Sequence, residues 1–389
     1  MERGIITGKR GMATLPRMCK SLVYSGHDAD RCSSVLSVQN YPPIPEVENS
    51  IVLRTLAFPI NPSDVNQLQG VYPSLPHKSL NYMTQEPAAV AGNEGVFEVL
   101  HVPARLQGQG QGPAPLQRGD WVIPTMANTG TWTDYRLFQD PAELIRVNGL
   151  DLLTAATIGV NGVTAYQLVN DFVKWRSGEN NWLVQNAGNS TVSKMVSQVA
   201  KVAGVRTLSV VRDRDSPEAF QRLAAELEGT FGATKVISES QNSSRDFSRL
   251  ELPGILGDSP RVRLALNSVG GKSSAAIARK LERDGLMLTY GGMSKQPVTL
   301  PTSLLIFKNI TSKGYWVTEL NKHAPQAKVD TVARLLELHA QGSFVAPTDD
   351  IETLEWDTQR FADQDVLDLV RGGIDSTNGK KKVVVLKWD

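Results

Sequence analysis

The 389-residue sequence is poor in cysteine and histidine and carries almost no net charge. Its two cysteines, Cys19 and Cys32, are too few for a four-ligand structural zinc site or a disulfide framework. The five histidines, His27, His77, His101, His323 and His339, stand singly and without ligand spacing. Both facts fit a metal-free protein of a reducing compartment. With 41 Lys plus Arg against 40 Asp plus Glu the net charge is +1, so no field draws in nucleic acid. No stretch reads as the roughly 20 uncharged apolar residues of a membrane span. The runs Ala88–Val90 and Val383–Leu386 are far too short. Collagen, coiled coil, disulfide scaffold and membrane protein are set aside on these grounds.

What is present is an ordinary globular composition, 41% apolar with 32 Gly and 21 Pro, and length for about two domains. Residues 1–18 carry Arg3, Lys9, Arg10 and Arg17 against the single acid Glu2. That bias reads equally as a mitochondrial transit peptide or as a basic tail. From Lys20 to Phe138 the pattern is of short strands: Ser21–Tyr24, Ser37–Gln39, Ile51–Ala57, Gly95–Val102, Trp121–Ile123 and Thr133–Leu137. Asn61-Pro-Ser-Asp64 opens a short helix through Val65 and Leu68. Gln107–Pro115 is a low-complexity hairpin loop.

After Asp151 the character changes. Helical patterns at Asp151–Ile158 and Asn161–Lys174 lead into strand Asn181–Gln185, and helix Ser190–Ala203 follows with Val192, Met195, Val196, Val199 and Ala203 on one face. Strands at Thr207–Val211, Lys235–Ile237, Arg263–Leu266 and Leu286–Thr289 then alternate with helices at Pro217–Leu227 and Ser273–Arg283. Such alternation predicts βαβ crossovers and a parallel sheet covered on both faces. A long helix bearing Val329, Val332, Leu335, Leu336 and His339 returns the chain, and strand Lys382–Trp388 rejoins the β-rich part.

The strongest chemical signal is Trp182–Val192, an apolar strand running through Asn186-Ala-Gly-Asn189-Ser190-Thr191 into an amphipathic helix. Backbone N–H groups in that setting hold a pyrophosphate. The stretch is not a clean G-x-G-x-x-G, and an ordinary capped βα turn would look similar. About 20 residues on, at the position that reads the adenosine ribose, stand Arg212-Asp213-Arg214. Two guanidiniums around one acid favour a 2′-phosphate and so NADPH, against the alternative of a solvated charged turn. Asn267-Ser-Val-Gly270-Gly271 and Tyr290-Gly291-Gly292-Met293 each follow a strand and let backbone lie against a flat ring, or are simple turns. Tyr72, between Gly70-Val71 and Pro73, is open to two readings, a packing residue or a phenol that donates a proton.

Taken in order, these segments resemble a known family. Asn61-Pro-Ser-Asp, Gln69-Gly-Val-Tyr72-Pro, Ala91-Gly-Asn93-Glu94-Gly, Gly119-Asp-Trp-Val-Ile-Pro124, Gly130-Thr-Trp132, Gly159-Val-Asn161, Gln185–Ser190, Val211–Arg214, Asn267–Ser273 and Tyr290–Pro297 are similar to those of the mitochondrial 2-enoyl thioester reductases. These form part of the zinc-free, quinone oxidoreductase-like branch of the medium-chain dehydrogenase/reductases, and the likeness runs from about Lys20 to Leu386. The resemblance implies an α/β protein with a GroES-like β-rich catalytic domain (19–160 and 325–389) and a Rossmann doubly wound parallel-sheet cofactor domain (161–324). It favours the transit-peptide reading of 1–18, and with it the mitochondrial matrix. It further implies NADPH-dependent reduction of enoyl thioesters on acyl carrier protein or CoA, with hydride to Cβ and a proton from Tyr72 to Cα, in a homodimer with an edge near Leu300–Tyr315. Cofactor contacts would come from Asn161, Asn189, Ser190, Thr191, Val192, Arg212, Asp213, Arg214, Tyr290, Gly291, Gly292, Met293, Tyr315, Trp316, Val317 and Lys381, with Trp316 also bordering the acyl site.

Two positions depart from that pattern. Thr129 stands where the family has Phe and Thr133 where it has Arg, which bears on cleft packing and on contact with phosphate-bearing ligands. The loop after Arg105 is also long. Two rival functions remain, an NADPH-quinone reductase of the same branch and a noncatalytic NADPH-binding partner module.

Overall fold

A computed structural model describes residues 15–107 and 115–388. Most of the expected transit segment, and nearly all of the Gln107–Pro115 loop, lie outside the described residues. The chain packs as two units, with boundaries at Ala156/Thr157 and Asp350/Ile351.

In the unit spanning 157–350, six strands form one sheet in the spatial order Lys235–Ser238, Arg206–Val211, Asn181–Gln185, Arg261–Asn267, Leu286–Thr289, Thr311–Gly314. Every neighbouring pair is parallel, and the order is that of a Rossmann doubly wound sheet. The strands are apolar because helices cover both faces. Trp182, Val184, Leu208, Val210, Ile277 and Met287 make the core, each contributing on the order of 1.5–3 kcal/mol by burial.

The other unit holds a seven-stranded sheet and a three-stranded one. Strand Ile51–Ile60 is central, pairing antiparallel with Val96–His101, Tyr135–Phe138 and the returning Lys381–Lys387. Cys19–Tyr24 pairs with Ser37–Tyr41 and Ala89–Val90. Phe58 stacks on Trp132 (5.8 Å between ring centres) in a core with Trp356, Val366 and Val384. Both cysteines are buried and free.

Three expectations are corrected. Residues 325–350 belong with the parallel-sheet unit, not with the β-rich one. Helix Pro325–Ala340, with Val332 and Leu335 fully buried, packs against helix Val163–Asn170, and Val345 exchanges two hydrogen bonds with Gln198 (2.9 and 3.0 Å). Second, the two helices expected at 151–174 are one continuous helix, Leu152–Asn170, joined by a π-turn at Ile158–Gly162. Third, that uncharged 19-residue helix is long and apolar enough to cross a membrane, contrary to the sequence reading, yet most of it is buried within the protein as a core helix.

Candidate active site

In the β-rich unit, Asn61 ends the central strand and Pro62 starts helix Pro62–Gln69, where a missing N–H costs nothing. The Asp64 carboxylate reaches back to the Asn61 N–H at 2.8 Å, tying down the first turn. The helix stops at Gly70, whose φ of +75° is left-handed. A Cβ there would lie 2.9 Å from His27 Cβ, so conformation and space both call for glycine. The N–H groups of Val71 and Tyr72 then both donate to Asn66 O (3.0 and 3.2 Å), which sets Tyr72, half-buried, just past the helix end.

Beneath the helix lies a polar network in a dry place. Asp64, 1% exposed, accepts from the Asn93 N–H (3.1 Å) and from Asn93 Nδ2 (2.7 Å). Burial raises its carboxyl to about 6, although the bonds from Asn61 and Asn93 pull the other way. Asn93 Nδ2 also donates to Gln67 Oε1 (2.7 Å), and Gln67 Nε2 donates to Asn128 Oδ1 (2.7 Å) and to Ser74 O (2.8 Å). At the other end of the helix Lys381 Nζ donates to Asn61 Oδ1 (2.5 Å), and Asn61 Nδ2 donates to Glu94 Oε2 (2.8 Å). Burial lowers the Lys381 pKa, and the carboxylates of Glu94 and Asp64 oppose that. Geometry separates Lys381 from its neighbours: Lys380 is exposed, and Lys382 Nζ binds Glu352 and Asn378 instead.

In the parallel-sheet unit, strand Asn181–Gln185 turns at Asn186–Asn189 into helix Thr191–Val202. Gly188 is pressed onto the adjacent strand: its N–H donates to Val210 O (2.7 Å), and a Cβ would meet Ser209 Cβ at 2.9 Å. Ser190 Oγ caps the helix by accepting from the Ser193 N–H (3.3 Å). The N–H groups of Thr191 and Val192 have no acceptor within the helix, so with half-exposed Asn189 they offer an anion site at the positive helix end. Tyr290 brings its hydroxyl to 3.4 Å from Ser193 Oγ. Burial raises its pKa, and the hydroxyls of Ser193, Ser268 and Ser190 partly offset this. The main chain after it runs through Gly291 and Gly292 to Met293, whose N–H donates to Ser268 O (2.8 Å). A Cβ on Gly292 would meet nothing within 4 Å, so that face of the backbone is open.

At the end of strand Arg206–Val211, Arg212 is exposed and Arg214 donates to the carbonyls of Arg212 (2.9 Å) and Asp213 (3.4 Å). The Asp213 carboxylate accepts from the Ser240 N–H (3.4 Å). Burial works against its ionised form, but bonds from Ser238 and Ser240 hold its carboxyl below the usual range. The acid that by sequence sits in the ribose position is therefore tied to the start of the next helix, Glu239–Ser243, beside the exposed Arg212.

Asn161 is buried on the π-turn, a feature that recurs at functional sites. Tyr315 follows strand Thr311–Gly314 and turns its hydroxyl inward to Gln167 Oε1 (2.8 Å), and burial raises its pKa. That bond commits the phenolic hydroxyl to the interior. Trp316, half-buried, and Val317 begin helix Val317–His323.

The structure thus gathers Asn189–Val192 with Tyr290 in one unit and Lys381 with the Tyr72 helix in the other. Sequence reasoning missed Gln67, Asn128, Ser193 and Ser268 as site residues. The signal available for the first two was only a polar Asn93-Glu94 pair inside the apolar stretch Ala88–Gly95. Thr133, at the position where the family has Arg, is fully buried, accepts from Ser21 Oγ (2.6 Å) and donates to Tyr135 O (2.9 Å). Thr129 Oγ1 is buried with no hydrogen-bond partner among the described residues.

The donor set fits an anionic dinucleotide. Ser268 Oγ is buried beside the glycine turn with no well-formed hydrogen bond among the described residues, and the helix N-terminus and exposed Arg212 supply two separated anion positions. Among the described residues, no group of three His, Cys, Asp or Glu side chains is placed to hold a metal ion.

No family model matches the chain. It is 60% identical over 380 residues to the mitochondrial enoyl-[acyl-carrier-protein] reductase of Candida glabrata, covering 98% of this chain and 96% of that one. It is 55% identical over 387 residues to a Kluyveromyces marxianus protein named NADPH quinone oxidoreductase, covering 100% of this chain and 98% of that one. Among solved structures, a complex of Etr1p with NADP and crotonyl-CoA superposes with a TM-score of 0.84 at 38% identity, covering 95% of this chain and 99% of that one.

Proposed function

The chain belongs to the mitochondrial 2-enoyl thioester reductases, zinc-free medium-chain dehydrogenase/reductases, and we propose that it completes its reaction by protonating Cα from Tyr72. The protein is a mitochondrial reductase of trans-2-enoyl thioesters that uses NADPH and serves fatty acid synthesis. Bound NADPH supplies the hydride that Cβ of the unsaturated thioester accepts, Cβ being electrophilic because the carbonyl withdraws electron density. The remaining requirement is a proton at Cα, and it falls to this chain's own residues. Tyr72 gives up its phenolic proton to form the Cα–H bond and is reprotonated from solvent. The observation that carries this is the placement of a half-buried phenol on a segment anchored directly past the Gly70 turn.

The residues that hold NADPH in this reading are Asn189–Val192 at the pyrophosphate, Arg212 and Arg214 at the 2′-phosphate, and Asn161, Tyr290–Met293, Tyr315–Val317 and Lys381 around the remainder. Asp213 stabilises the turn that carries the two arginines. Residues 1–18 are the transit peptide. The protein forms a homodimer through the free edge of the parallel sheet. There strand Thr311–Gly314 is exposed at all four residues, beside Leu305, Ile306 and Phe307 (45%, 65% and 71% exposed). An exposed strand edge beside apolar side chains of that kind is a template for a second copy.

Replacing Tyr72 with Phe tests the assignment. NADPH binding is retained and turnover of enoyl thioester falls by about two orders of magnitude or more, the usual share of a general acid. Wild-type turnover in that variant would remove Tyr72 from the mechanism. One rival has an observation behind it, the name carried by the Kluyveromyces marxianus relative. A quinone reductase of this fold would not need the phenol, so quinone turnover indifferent to Tyr72→Phe distinguishes it.

A further inference from the structure

Tyr72 sits on a stretch of chain held at both ends. Behind it, Asn66 O accepts the N–H groups of Val71 and Tyr72. Ahead of it, Ser74 is gripped twice: its carbonyl accepts from Gln67 Nε2 (2.8 Å) and its Oγ accepts from Asn128 Nδ2 (2.7 Å). The gripping amides are themselves locked. Gln67 Nε2 donates to Asn128 Oδ1 (2.7 Å), and Gln67 Oε1 accepts from Asn93 Nδ2 (2.7 Å). The Asn128 N–H in turn donates to Asn93 Oδ1 (2.9 Å). Asn93 is pinned by two bonds to the buried carboxylate of Asp64.

Three primary amides therefore use both their oxygen and their nitrogen in one closed set. Turning any of them over would place donor against donor or oxygen against oxygen, so the set has one low-energy arrangement. Asn128 holds its part from a left-handed backbone (φ 63°), a conformation Asn tolerates better than most residues. Gln67 and Asn93 are buried, so an amide left unpaired by a change in its neighbour cannot turn to water. Asp64, Gln67 and Asn93 are buried, while Asn128 and Ser74 are half-buried. All of it converges on Ser74, two residues beyond the phenol.

We infer that Gln67 and Asn128 are positioning residues for proton transfer, a clasp on Ser74 that fixes where the Tyr72 hydroxyl stands. The inference rests on Tyr72 being the proton donor. With only Pro73 between the anchored residues Tyr72 and Ser74, few backbone torsions are left free. Release of the forward anchor lets the phenol wander by an ångström or more, a displacement that costs up to about a hundredfold in rate.

The test compares Gln67→Leu and Ser74→Ala, each in the native chain and in the Tyr72→Phe chain. Ser74→Ala removes only the hydroxyl half of the grip at a half-buried position, so it carries the test if Gln67→Leu fails to fold. In the native chain kcat falls roughly ten- to hundredfold, while KM for the thioester and the dissociation constant for NADPH stay within about twofold. In the Tyr72→Phe chain the same changes lower the residual rate by less than about twofold, because they act through a group no longer there. An equal loss in both backgrounds, a parallel loss of NADPH binding, or no loss at all overturns the clasp. Wild-type turnover in Tyr72→Phe itself overturns the donor assignment instead, and the two failures are told apart by that one control.

Discussion

In the proposed reading of the cofactor site, the choice between NADPH and NADH falls to two guanidiniums that start from different states. Arg212 is exposed and can turn to a phosphate at little cost. Arg214 already donates to the carbonyls of Arg212 and Asp213 (2.9 and 3.4 Å), which it must release. A charge-assisted bond to a phosphate contributes about 1.5–3 kcal/mol in a protected site, and exposure reduces this toward about 1–2 kcal/mol for Arg212. At about 1.36 kcal/mol per tenfold, Arg212→Ala raises KM for NADPH roughly 5- to 30-fold. Arg214→Ala has the smaller effect, since the bonds it surrenders offset part of those it gains. Neither change alters KM for NADH by more than about twofold. Asp213→Asn keeps the preference for NADPH, because Ser238 and Ser240 hold that carboxylate away from the ribose position. The assay is initial-rate kinetics with each nucleotide at saturating enoyl thioester. If Arg212→Ala plus Arg214→Ala leaves the ratio of kcat/KM for the two nucleotides unchanged, the assignment of this turn is wrong.

Three further outcomes follow from the packing. Gly188→Ala drives a Cβ to 2.9 Å from Ser209 Cβ and 3.1 Å from Val210 O. It costs about 1–3 kcal/mol of overpacking, read as a Tm lower by several degrees with weakened NADPH binding. Asp64 and Asp134 are raised by burial from 3.8 to about 6 and about 7. Both hold protons more tightly folded than unfolded, so their contribution to stability is complete below about pH 4 and is lost as the pH rises through 6 to 7. Urea midpoints measured across that window show the fall, and Asp64→Asn or Asp134→Asn reduces its slope. On the proposed homodimer, Phe307→Glu beside the exposed sheet edge shifts the sedimenting species from dimer to monomer by analytical ultracentrifugation.

Where local pattern decides structure, the sequence was readable. Asn181–Gln185 and Leu286–Thr289 were legible from their apolar centres, Trp182–Val184 and Leu286–Leu288, which a strand covered by helices on both faces requires. Helix Asp363–Asp375 and strand Ile351–Asp357 escaped notice, the strand because its burial alternates and it is completed only by pairing with Lys381–Lys387. The division of the site followed the same rule. Ser190 and Gly188 were legible as a βα turn. The partners of the Asp213 carboxylate were not legible, since Ser238 and Ser240 lie beyond a whole crossover helix. Gln67, Asn93 and Asn128 come from three segments with no shared period, so only the folded chain shows that their amides meet.

The central claim is an NADPH-dependent reduction of enoyl thioesters by this chain. The most direct test follows NADPH oxidation spectrophotometrically with trans-2-hexenoyl-CoA, beside parallel runs with NADH and with a quinone. Rapid oxidation is expected with the thioester and NADPH, and little with NADH. Turnover of quinone with no turnover of thioester would contradict it and return Tyr72 to a packing role.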